Sequence, residues 1–175
     1  EEDNYIAIDS DGRMVLLAAA DIYVEETSGD MVVELVKTEG NIHLLSEGSI
    51  VAAEDAEGII ITGEDITLTS ASGGIGSAEK FVTIDLGESG VLRAYAVNNI
   101  YLDAAAGDMR IYQVHTPESV WLRALGSIVN DASEGTVNVS GKELVLTALE
   151  GYAGTRDKAL VVDTNLITVD ALMDI

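Results

Sequence analysis

Ile22-Tyr23-Val24, Ser28-Gly29-Asp30-Met31 and Gly48-Ser49-Ile50-Val51 return later in the chain as Ile100-Tyr101-Leu102, Ala106-Gly107-Asp108-Met109 and Gly126-Ser127-Ile128-Val129, each displaced by 78 positions. Leu68-Thr69 and Ile84-Asp85 return with the same offset as Leu146-Thr147 and Val162-Asp163. Only Glu57-Gly58 and Glu134-Gly135 slip, by one residue. Matches this far apart, kept in one register, mark an internal repeat, and a repeat is the sequence signature of a solenoid or another stacked array. The two copies run from about residue 12 to 90 and from 91 to 165, within one segment covering residues 1–175.

A shorter period lies inside the long one. Ile22-Tyr23-Val24, Asn41-Ile42-His43-Leu44 and Asp65-Ile66-Thr67-Leu68 each read apolar, variable, apolar, which is the alternation of a strand with one buried face. Gly-rich or acidic turns separate them, among them Ser28-Gly29-Asp30, Glu47-Gly48-Ser49 and Gly63-Glu64-Asp65. Strands of this kind, recurring about every 20–25 residues, predict an all-β chain of stacked coils, about 7–8 in number. At about 4.8 Å per coil such a rod is roughly 35–40 Å long. One coil cannot bury its inward Ile, Val and Leu alone; stacked neighbours turn them into a continuous apolar column. The runs Met14–Ala20 and Met31–Lys37 have a helical reading, which their β-branched residues and the glycine spacing oppose.

Composition narrows the partners. The chain has 31 Asp and Glu against 9 Lys and Arg, a net charge of −22. Nucleic acid needs a basic footprint, and an anionic membrane repels such a surface. Cations, basic proteins and neutral glycans fit it better. No stretch reaches the roughly 18 apolar residues of a membrane span. There is no cysteine, hence no disulfide framework and no thiolate metal site. The sequence opens on Glu1 with no signal peptide, and we expect a piece of something longer or a processed form.

Gly63-Glu64-Asp65-Ile66-Thr67-Leu68-Thr69-Ser70, Gly73-Gly74-Ile75-Gly76-Ser77-Ala78 and Phe81-Val82-Thr83-Ile84-Asp85 carry a family resemblance, as do Gly141–Ala148, Leu160–Thr164 and Gly126–Ala132 in the second copy. From about Gly12 to Thr164 the chain resembles the long repetitive exoproteins of Gram-negative bacteria, the filamentous haemagglutinin-like adhesins. The resemblance implies a right-handed parallel β-helix, export across the outer membrane, and an adhesive or structural role in the extracellular space or at the cell surface. The secretion domain that opens such proteins is not part of this sequence.

Two sets of residues are candidates for contact. Asp9, Asp85 and Asp163 each follow an apolar-x-apolar triplet and are expected to precede a turn, while Asp30 and Asp108 occupy Gly-Asp steps. Stacked acidic turns offer the several oxygens that calcium prefers, so Asp30, Asp85, Asp108 and Asp163 are the candidate calcium ligands. The competing reading is an Asp side chain that stabilises its own turn. No cofactor is required on either reading. The calcium nonapeptide of toxin β-rolls needs Asp where Gly73-Gly74-Ile75-Gly76-Ser77-Ala78 has Ala, and this glycine cluster lacks the Gly-Lys-Ser/Thr of a phosphate loop. With Ile22 and Val24 inward, Tyr23 points outward, and the same alternation turns His43, Tyr101 and Trp121 outward. These four are expected along one face, stacked on one another or open to a glycan or a host or cell-surface partner.

No Gly-x-Ser-x-Gly, His-Glu-x-x-His or cysteine nucleophile is present, and neither His43 nor His115 has a ligand pattern around it. The leading expectation is therefore a structural or adhesive module without enzymatic activity. The alternatives are a filament subunit that stacks through open ends on copies of itself or on neighbouring segments, and a polysaccharide-active β-helix enzyme. The last needs a groove of clustered Asp with Arg or Lys.

Overall fold

The computed structural model describes residues 5–172. Every element among them is a β-strand, and every named pairing is parallel. The reason is visible strand by strand. Ile22, Val24, Ile42, Leu44, Ile66 and Leu68 alternate with polar or aromatic positions and are buried, whereas the residues between them are half-buried. β-branched and apolar side chains fit this pleated, one-sided surface. Met31–Lys37, with its helical alternative, is a strand too, and Met14–Leu17 lies within another.

The chain alternates between two stacks. The first takes β1 (Ile6–Ile8), β3 (Ile22–Glu26), β5 (Ile42–Ser46), β8 (Ile66–Ser70), β10 (Leu92–Tyr95) and β12 (Met109–His115). The second takes β2 (Arg13–Leu17), β4 (Met31–Lys37), β7 (Ile61–Gly63), β9 (Val82–Leu86), β11 (Ile100–Ala104) and β13 (Val120–Ala124). β6 (Ile50–Ala52) lies on β4, and β14 (Ile128–Asn130) on β12. β15 (Val139–Ala148) is long enough to reach both stacks: Val139 pairs with Val114 of β12 and Leu144 with Val120 of β13. β16 (Val162–Ala171) runs along β15 over its whole length. The result is a β-solenoid of about eight coils.

Two interior columns trace the rod. One reads Ile6, Val24, Leu44, Leu68, Ala94, Val114, Val139, Val162. The other reads Leu16, Val36, Ile61, Ile84, Ala104, Ala124, Ala148, Ala171. Burying each large aliphatic side chain contributes about 1.5–3 kcal/mol, so the columns supply the main favourable term of the fold. A third column, Met31, Ile50, Ile75, Ile100, passes through single bridges at Ile75, inside the glycine cluster. Gly73 is required there because a Cβ would overlap Ser49 of the coil before it.

The repeat has an odd number of half-turns. From β3 the chain visits β4, β5, β6 with β7, β8, Ile75 with β9, and β10 before it reaches β11, the equivalent of β3. That makes seven half-turns, so β3 and β11 fall in different stacks. Equivalent residues of the two copies thus face opposite sides of the rod.

Candidate functional site

The acidic turns are built from one device used twice. The Asp30 carboxylate accepts the backbone N–H of Ser49, one coil on, at 2.7 Å, and the Asp108 carboxylate accepts that of Ser127 at 2.7 Å. The glycine before each serine makes room: a Cβ on Gly48 would lie 2.5 Å from the Asp30 carboxylate, and one on Gly126 would overlap that of Asp108. The neighbouring corner repeats the logic, with Asp21 accepting from Asn41 at 2.7 Å, Asn41 from Asp65 at 3.2 Å, and Asp65 from Val91 at 2.9 Å. Such a ladder satisfies turn N–H groups that the strands leave unpaired, each bond contributing about 1 kcal/mol.

Asp85 and Asp163 are placed differently from the expectation. Asp85 lies within β9 and Asp163 within β16, so neither precedes a turn directly. β16 is long because its partner β15 is continuous across both stacks, and pairing carries the strand through the position where the corner was expected. Asp9 follows β1 and accepts a hydrogen bond from the Ser28 hydroxyl at 2.5 Å. Of the four candidate calcium ligands only Asp85 and Asp108 come together, in a depression of about 340 Å³ shared with Glu88 and Arg110. Among the described residues no three His, Cys, Asp or Glu side chains are grouped to hold a metal ion.

The outward aromatics form two ladders rather than one. Tyr23 stacks on His43 with centroids 4.5 Å apart and planes 10° from parallel. Tyr101 stacks on Trp121 at 4.5 Å and 7°. Tyr23 and His43 belong to the first stack and Tyr101 and Trp121 to the second, so the four do not share a face, a consequence of the seven half-turns. Tyr5 sets its edge against Tyr23 at 5.8 Å, and Phe81 sets its edge against Tyr101 at 5.4 Å. His43 and Trp121 are followed in register by Thr67 and Val145. Each ring therefore has neighbours along the rod on both sides, and the ladders show ring edges, not open faces, to the surroundings. Burial pushes the Tyr101 phenol above its ordinary pKa, against a hydrogen bond with Asn99 that lowers it.

Three polar features escape a reading of the sequence. Asp103, buried, pairs with Arg123 directly across the ladder in register, and the Arg123 guanidinium lies 5.2 Å from the Phe81 ring centre. That hydrogen bond with Asp103 holds the guanidinium pKa above its usual value. Lys80 closes the loop between β6 and β7, its ammonium donating to the carbonyls of Ala53, Glu54 and Ala56 at 2.6–2.9 Å. His115 Nδ1 lies 2.6 Å from Ser140 Oγ on an outward column that reads Tyr95, His115, Ser140, Asp163. Ser140, not the imidazole, stands between the other two groups, so the column does not reproduce the nucleophile–base–carboxylate order of a hydrolase. No sequence signal announces this pair, because the 25 residues between them correspond to a coil only once the coil length is known.

No protein-family model, no curated protein and no solved structure matches the chain.

Proposed function

We propose that the chain is a non-enzymatic structural module, a stiff segment of a larger bacterial cell-surface or secreted protein whose lateral faces are open to adhesive contact. The observation that carries this reading is the unbroken interior column from Ile6 to Val162, one residue per coil through all eight coils. Each coil is held only by the coils beside it, and the array as a whole resists bending because every strand is hydrogen-bonded along the rod. The net charge of −22 keeps such a surface soluble at high local concentration. The resemblance to filamentous haemagglutinin-like exoproteins supports the surface location and the adhesive use of the faces.

Pulling the molecule from its two ends in an optical trap tests the mechanical part. The expected outcome is one abrupt loss of all the coils; a graded peel, coil by coil at low force, contradicts a stiff module. Reducing-end assays on acidic and neutral polysaccharides test the enzymatic alternative, and reproducible turnover would replace this proposal with that one.

A further inference from the structure

One corner of the coil is closed in the first copy of the repeat and hollow in the second. In the first, Glu26 lies over Ile8 in register and is 2% exposed. Its carboxylate accepts the N–H groups of Ser10 and Ser28 at 3.3 Å, and the Ser28 hydroxyl donates to Asp9 at 2.5 Å. The corner is thus satisfied by its own side chains, an acceptor from Glu26 and a donor from Ser28.

In the second copy the same register sets Ala104 over Ile84, so Ala104 answers to Glu26, Asp85 to Asp9 and Ala106 to Ser28. Both closing groups are gone. The Ala104 side chain stops at Cβ, and the depression of about 340 Å³ opens at this place, with Ile84 and Ala104 in its lining. It lies in the middle of the rod, between β9 and β11, with described coils on both sides. Among the described residues no acceptor meets the Ala106 N–H and no donor meets the Asp85 carboxylate. Arg110 also lines the hollow; it stands where the first copy has Val32, and its guanidinium makes no ion pair with a described residue.

Three differences therefore act together. Without the Glu26 carboxylate an N–H calls for an acceptor, without the Ser28 hydroxyl a carboxylate calls for a donor, and a guanidinium has been added beside them. A free anion answers the first and third but is opposed by Asp85, Glu88 and Asp108 on the same rim and by the net charge of −22. A simple cation answers only the second. A small zwitterion with carboxylate and ammonium on one carbon answers all three and carries no net charge. The volume suits such a ligand, at the lower end of the roughly 300–1,000 Å³ of small-molecule sites.

We propose that this hollow binds a small α-amino acid, its carboxylate held by the Ala106 N–H and Arg110 and its ammonium by Asp85. Hydrogen bonds in which one or both groups are charged are the strong ones, and a guanidinium suits a carboxylate in particular. The site goes beyond the rod reading and does not depend on it, so a failure here leaves the rod standing.

Titration of the isotope-labelled chain with L-alanine and with L-valine, followed by amide proton–nitrogen NMR, reads the site directly. The expected result is a saturable shift of the Ala106 amide and its neighbours. Propionate lacks the ammonium and L-alaninamide lacks the carboxylate; each is expected to bind about tenfold more weakly or worse, the scale of one lost hydrogen bond to a charged group. Ala104→Glu places the first copy's own carboxylate in the hollow and is expected to abolish the shift. Arg110→Val restores the first copy's residue on the rim and is expected to weaken binding by a similar tenfold. Urea unfolding of both variants checks that the rod is intact, and if Ala104→Glu does not fold, Arg110→Val decides. The proposal is overturned if neither amino acid moves the Ala106 amide, if propionate or L-alaninamide binds as well as L-alanine, or if a folded variant binds as the parent does.

Discussion

The two copies of the repeat run through equivalent coils and differ most in what fills them. In the first, the position that ends each inward run is polar: Glu26, Ser46 and Ser70. Ser46 donates to the Gly29 and Ser49 carbonyls at 3.2 Å, Ser70 donates to Gly48 at 2.7 Å, and Glu26 accepts the N–H groups of Ser10 and Ser28 at 3.3 Å. In the second copy the same three places hold Ala104, Ala124 and Ala148, all buried. The outward neighbours diverge as well, Glu25 beside Leu45 becoming the ion pair Asp103 with Arg123. What stays constant is the corner: Gly48 with Asp30, Gly126 with Asp108. Register is thus held by turns and by aliphatic columns, while a slot one residue further accepts either a satisfied polar group or a methyl. Both fillings obey the rule that a buried polar atom needs a partner, and no buried side-chain nitrogen or oxygen among the described residues lacks one.

The strongest way to break this equivalence is to cut the column at matched places. Ile50 and Ile128 are repeat partners, and both are fully buried. Ile50 sits between Met31 and Ile75, but Ile128 sits between Met109 and Ala153, close to the last described coil. Truncation to Ala costs about 2–5 kcal/mol, depending on how far the surroundings collapse into the hole. Denaturant unfolding is expected to place Ile50→Ala near the top of that range and Ile128→Ala near the bottom. Equal losses would mean that the last described coils pack as firmly as the middle.

The side loops of the two copies differ by less. Lys80 and Lys158 are repeat partners, yet Lys80 donates to three backbone carbonyls, whereas Lys158 reaches Asp131 at 3.1 Å on the surface. Lys80→Met is expected to cost about 1.5–3 kcal/mol, the scale of a hydrogen bond to a charged group. Lys158→Met is expected to cost about 0–1 kcal/mol, as exposed ion pairs do. Paired melting curves of the two variants decide whether one loop is clamped more tightly than the other.

Much of this architecture was legible because strand alternation and the 78-residue offset are both direct consequences of stacking. Strand alternation alone turns Ile22, Val24, Ile42 and Leu44 inward and Tyr23 and His43 outward. The number of half-turns was not legible. It depends on whether residues 53–60 and 76–81 make a new strand or only a loop, and they make loops, between β6 and β7 and between Ile75 and β9. Counting strands from sequence cannot settle parity, and parity decides whether Tyr23 and Tyr101 share a face. The Asp30–Ser49 and His115–Ser140 contacts were hidden for a related reason: coil length varies, with separations of 19 residues in one and 25 in the other. The candidate ligand Asp163 read as a turn residue because apolar-x-apolar-Asp marks a strand end only when the partner strand also ends there, and β15 runs on; Asp85 falls one residue short of the end of β9.

The smallest expected effect concerns the ladders, where the second copy carries Tyr101 against Trp121 in place of Tyr23 against His43. Burial raises the Tyr101 pKa, and nearby Glu79 adds to the shift. A folded-state pKa above the unfolded one means that the neutral phenol is preferred in the native state. Its contribution is therefore complete below the unfolded tyrosine value of about 10 and disappears as pH climbs through the folded value. Tyr95, also raised by burial, adds to the same alkaline loss. Stability measured by urea unfolding is expected to be flat with respect to these groups from pH 7 to about 9.5 and to fall above about 10. Tyr101→Phe keeps the stack on Trp121 and removes the ionisable group, so its curve should fall less steeply there. If the variant and the parent decline in parallel, the second ladder is wetter than its stacking geometry implies, and the two copies are alike in this respect too.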